Sequence, residues 1–126
     1  MLGDKTAVAT VAIEDMEAAK KFYEGTLGLT PQGSEDDGGI TYKNGGSSLF
    51  VYQSEYAGSN KATAVSWSVG EDLDKIVTEL KGKGVAFEQY DMPGVTREGA
   101  VHSMGELRAA WFKDPDGNIL NLVNQM

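Results

Sequence analysis

The sequence predicts an α+β fold in which one strand–helix–strands unit is used twice. Three observations carry this prediction. Each half opens on a β-type run, each half then shows an amphipathic helix pattern, and an offset of 56 residues superposes the halves. At that offset Val11 falls on Trp67, Ile13 on Val69, Gly28 on Gly84 and Leu29 on Val85. Inside the helices one residue of slip is needed. Met16 then matches Leu73, Ala19 matches Ile76 and Tyr23 matches Leu80.

Residues 6–13 (TAVATVAI) read as the first strand, with Ala7, Ala9, Val11 and Ile13 on one face and Val8, Thr10 and Ala12 on the other. Asp15 is placed to cap a helix running to about Leu27, and Gly28 stands where a left-handed C-terminal cap belongs. From Leu29 the chain is Gly-rich and strand-like, with turns at Asp36–Gly39 and Asn44–Gly46, and SSLFVYQ (47–53) is its best strand. Glu35-Asp36-Asp37 reads as a solvated turn. The second half repeats this order: TAVSWSV (63–69) is a strand with Trp67 under the helix, EDLDKIVTELKGKG (71–84) is the helix, and GVAFEQY (84–90) opens the next strand. The stretch 91–106 holds the only His and is long for a connection. It reads as a lid, binding loop or dimer contact, with a short strand around Ala100–Ser103. LRAAWFK (107–113), the DPDG turn and NILNLVNQ (118–125) close the chain. The result is one domain of two modules, about 4–53 and about 62–126, joined by a linker at about 54–61.

Composition narrows the function. Gly is in excess, 16 of 126 residues against a usual ~7%, and signals turns. With Cys 0 and His 1, thiolate zinc sites, cysteine nucleophiles and two-His metal sites within one chain are excluded. A net charge of −8 argues against nucleic acid and anionic membranes as partners. No signal-peptide pattern and no long apolar run is visible, so a cytoplasmic protein is expected. DPDGN resembles part of a calcium loop, but its Gly comes too early and no Glu follows at the required spacing; it reads as a hairpin turn.

Two motifs, VAIEDMEAAKKFYEGTLGL (11–29) and WFKDPDGNILNLV (111–123), together with the duplication resemble the vicinal oxygen chelate superfamily. That superfamily includes glyoxalase I, extradiol dioxygenases, fosfomycin resistance enzymes and bleomycin resistance proteins. The resemblance implies two tandem βαβββ modules forming a half-barrel cleft with helices outside, and commonly a homodimer. It also implies four metal-ligand positions, which fall on Val8, Phe50, Ala64 and Asn121. None of these is a carboxylate or an imidazole, so no metal and no other cofactor is expected.

A cleft so changed is expected to bind an organic small molecule. The candidate ligand-binding residues are Thr10, Tyr42, Phe50, Tyr52, Ser66, Tyr90, Arg108 and Asn121. If Lys113 pairs with Asn118 across the DPDG turn, Arg108 shares the Asn121 face; a one-residue slip puts Trp111 there instead. His102 is the candidate acid or base. The first functional reading is a metal-independent binding protein of the glyoxalase/bleomycin resistance type. The alternative is a lyase, isomerase or dioxygenase of the same superfamily, using His102 or a non-standard metal site.

Overall fold

In the computed structural model, residues 1–33 and 39–125 are described. The acidic cluster Glu35-Asp36-Asp37, and with it most of the turn expected there, lies outside them. The two halves form separate compact units, Met1–Gly58 and Ser59–Met126.

The first unit runs β1 (Ala9–Ile13), α1 (Met16–Lys20), a π-helical segment (Lys21–Thr26), β2 (Thr30–Pro31), β3 (Gly39–Asn44) and β4 (Ser47–Gln53). Its sheet order is β1-β4-β3-β2, with β1 parallel to β4. The helix supplies the crossover that a parallel pair requires. Asp15 caps α1 as expected, its Oδ1 accepting the N–H of Glu17 at 3.0 Å and of Ala18 at 3.4 Å. Residues 6–8, expected in the first strand, lie outside the ladder and are exposed.

Strand alternation assigns the faces. Val11, Ile13, Ile40, Tyr42, Leu49 and Val51 are buried with Ala19 and Tyr23 of the helical segment. Thr10 stands opposite Phe50 and Ala12 opposite Tyr52, on the other face. There the Phe50 and Tyr52 rings stack at 6.0 Å.

The second unit runs β5 (Thr63–Ser68), a 3-10 turn (Gly70–Asp72), α2 (Leu73–Gly82), β6 (Phe87–Glu88), β7 (Thr96–Glu98), β8 (Val101–Met104), β9 (Leu107–Lys113) and β10 (Ile119–Val123). Its order is β5-β10-β9-β8-β7, with β6 also on β9. The same parallel first-to-last pairing recurs, and β7 and β8 are a hairpin added to the repeated pattern. Leu73, Val77 and Leu80 of α2 are buried, as are Ala110, Phe112, Leu120 and Leu122 of the sheet.

The helical slip in the repeat has a physical cause in each module. A 3-10 turn adds a residue before α2. A π-helical segment adds one near the end of the first helix, where the Leu27 N–H reaches Phe22 O at 2.9 Å, five residues back. The two insertions offset, and Gly28 and Gly84 cap the helices in the left-handed region at φ 73° and 92°. Among the described residues no helix is long and apolar enough to cross a membrane.

Candidate functional site

The register of β9 against β10 decides which side chains share the Asn121 face. Asp114 N–H donates to Asn118 O at 3.0 Å, and Asp114 Oδ1 accepts the N–H of Asn118 at 2.9 Å. The turn therefore closes on this pair, Lys113 stands opposite Ile119, and Trp111 stands opposite Asn121. Arg108 falls on the other face. Its guanidinium donates twice to the Asp74 carboxylate of α2, at 3.1 and 2.9 Å. The Arg108 bond holds the Asp74 carboxyl below its usual value, against a smaller opposing effect of burial. The expectation that Arg108 shares the Asn121 face is thus corrected.

The open face of the second sheet gathers Ser66, Asn121, Trp111, Ala109 and His102 on adjacent strands. A register shift between Ile119 and Leu120 brings Thr63 opposite Ile119, so it joins this face and leaves Ala64 between pairs. The Trp111 indole N–H donates to Thr63 Oγ1 at 3.1 Å. Asn121 is buried; its Nδ2 donates to Ala110 O at 3.1 Å and its Oδ1 accepts from Ser66 Oγ at 2.9 Å. Tyr90 packs edge-on to Trp111 at 5.5 Å, and burial and the Glu88 carboxylate raise its phenol pKa against a lowering by Lys113.

His102 is buried, packed edge-on to Trp111 at 5.0 Å. Its Nε2 accepts the Tyr90 backbone N–H at 2.9 Å, and its Nδ1 lies 3.1 Å from Ala100 O. These partners assign the proton to Nδ1 and the lone pair to Nε2. Both ring nitrogens are thus engaged within the protein, and neither points free into the face.

A small pocket of about 30 Å³ opens beside this cluster, lined by Met92, Val95, His102, Met104, Leu107, Ala109 and Trp111. Its volume holds about two waters at ~10–15 Å³ each. It seats the edge of a ring or an alkyl end; whole drug-sized ligands need sites of roughly 300–1,000 Å³. Sequence reasoning marks the stretch 91–106 as a lid or binding loop but misses Met92, Val95 and Met104 as individual residues. The signal that finds them is that Met92, Val95 and Met104 are the large apolar residues of that stretch other than Val101.

In the first unit, Thr10, Phe50 and Tyr52 do share the open face. Thr10 Oγ1 bonds Val8 O at 3.1 Å. Tyr42 does not join them. It pairs with Leu49 on the helix face, is fully buried, stacks with Tyr23 at 6.0 Å, and donates its hydroxyl to Glu24 Oε2 at 2.8 Å. The Tyr42 expectation is corrected accordingly.

The donor chemistry does not fit the metal that the resemblance implies. Val8, Phe50 and Ala64 carry no side-chain donor, and the Asn121 carboxamide is engaged at both ends. Among the described residues no group of three His, Cys, Asp or Glu is arranged to hold an ion. The carboxylates near the pocket face cations instead, Glu88 with Lys113 at 3.4 Å and Asp91 with Arg97 at 3.0 Å.

The fold is similar to that of the glyoxalase family protein from Enterococcus faecalis, with a TM-score of 0.72, 17% identity, and 98% of this chain and 99% of that one covered. It is similar to the fosfomycin resistance protein FosX from Listeria monocytogenes complexed with Mn(II) and sulfate, at a TM-score of 0.74 and 14% identity, over 100% of this chain and 93% of that one. A third similar structure is TnmS3, an antibiotic binding protein from Streptomyces sp. CB03234, at 0.61 and 22% identity, over 97% and 96%. No curated protein sequence matches the chain. Residues 5–122 match the sequence profile of the Glyoxalase/Bleomycin resistance protein/Dioxygenase superfamily. The chain belongs to that superfamily.

Proposed function

We propose that the protein binds an organic small molecule without a metal and without turning it over, in the manner of the bleomycin resistance members of its superfamily. The observation that carries this reading is the apolar pocket against Trp111, on a face whose only His has both nitrogens engaged. A ligand anchored there gains apolar contact and ring stacking, both of which favour retention over reaction. The similarity in build to an antibiotic binding protein supports the reading. So does the absence of metal donors from Val8, Phe50 and Ala64. The reading takes the protein to be a cytoplasmic homodimer, as expected from the sequence and the resemblance.

The test is a calorimetric screen of aromatic antibiotics against protein treated with a chelator, with each ligand analysed by mass spectrometry afterwards. Saturable binding with the ligand recovered intact is the expected result, and Trp111→Ala weakens it at least tenfold. Conversion of any ligand to product, or binding that returns only with added metal, overturns the proposal. Sedimentation equilibrium checks the dimer.

A further inference from the structure

We infer that the open face of the second sheet selects a ligand whose apolar or aromatic body carries a hydrogen-bond donor, an ammonium or N–H group, about 10 Å away across the sheet, and that it disfavours an anion at that position. This rests on reading that face as the binding site, and it adds the polarity of the ligand.

The placement of protons decides that polarity. The side-chain N–H groups at the centre of this face are spent inside the protein. Trp111 Nε1 gives its proton to Thr63 Oγ1, and His102 Nδ1 bonds Ala100 O. Asn121 Nδ2 serves Ala110 O and, at 3.4 Å, Leu122 O. Those two carbonyls fix the carboxamide with Oδ1 toward Ser66. The Ser66 hydroxyl then commits its one proton to Asn121 Oδ1 at 2.9 Å. A hydroxyl has one proton and two lone pairs, so half-buried Ser66 offers lone pairs only. The Tyr90 hydroxyl, able to donate or accept, favours neither kind of ligand.

Three nearby cations are likewise held. Lys113 faces Glu88 at 3.4 Å, Arg97 bonds Asp91 at 3.0 Å, and Arg108 is turned to Asp74 behind the sheet. At Asn121 and Ser66 an anion must break one of these bonds or leave a carbonyl without its donor, whereas a ligand donor breaks nothing there. The spacing follows from the ladder. Trp111 opposes Asn121 and Asn121 opposes Ser66, so two strand spacings of ~4.8 Å separate the pocket strand from Ser66.

The test compares phenylhexylamine with phenylhexanoate by calorimetry at physiological salt, on the wild type, Ser66→Ala and Ser66→Thr. The amine is expected to bind at least tenfold more tightly. Ser66→Ala lowers its affinity about five- to tenfold and leaves the carboxylate unchanged, while Ser66→Thr keeps the preference. Equal or tighter binding of phenylhexanoate overturns the inference and leaves the binding reading standing. A preference that survives Ser66→Ala belongs to the chain's net charge, and also overturns it. If neither compound binds, the binding reading fails and the inference falls with it.

Discussion

Nε2 of His102 accepts the backbone N–H of Tyr90 at 2.9 Å, and this one bond ties the strand β8 to the start of the segment that follows β6. It makes the imidazole a brace between these two segments. His102→Ala removes partners from Tyr90 N–H and Ala100 O and opens a void under Trp111. A loss of about 2–4 kcal/mol in urea unfolding is expected, from unsatisfied polar groups and a cavity together. A variant of unchanged stability contradicts the structural role.

The Arg108–Asp74 pair makes a pH-dependent but small contribution. Arg108's hydrogen bond is the main cause of Asp74's lowered pKa, so the folded value lies below 3.8 while the unfolded one stays near it. The stabilisation is therefore present above 3.8 and is lost as pH falls through the folded value. Both side chains are well exposed, 38% and 66%, which limits the pair to roughly 0.2–1 kcal/mol. A double-mutant cycle with Asp74→Asn and Arg108→Ala reads this coupling at neutral pH and finds it gone in strong acid. Coupling that grows on acidification has the opposite sign and contradicts the pairing.

Gly39 is fixed by a neighbour and not by its own backbone. A Cβ at this position lands inside the Phe50 ring, which lies across it. Gly39→Ala must turn Phe50 away from its stack with Tyr52, at an expected cost of about 1–3 kcal/mol. Shortening the ring relieves the clash, so Gly39→Ala combined with Phe50→Ala costs less than the sum of the two changes. Additive losses show that the two sites do not meet.

Local signals make most of this fold legible. The strand 47–53, the Asp15 cap and both Gly caps rest on patterns within a few residues, and each appears in the structure; the duplication is read from the 56-residue offset. The helical slip is visible as arithmetic, but its π-helical and 3-10 causes lie in backbone hydrogen bonds that residue types do not specify. The site is harder to read because it depends on parity. Which of Arg108 and Trp111 joins Asn121 turns on one residue of register, set by Asp114 bonding Asn118 across the turn. Tyr42 sits in a Gly-rich stretch with weak alternation, and its hydroxyl finds Glu24 only once the helix lies over the sheet. The engagement of His102 is likewise a long-range fact, invisible until β8 is placed.

The most direct measurement is a calorimetric titration of phenylhexylamine into chelator-treated protein, repeated after addition of Mn(II). Metal-independent retention predicts saturable binding of the same affinity in both, lost in Trp111→Ala. Binding that appears only with Mn(II), or that survives intact in Trp111→Ala, contradicts it.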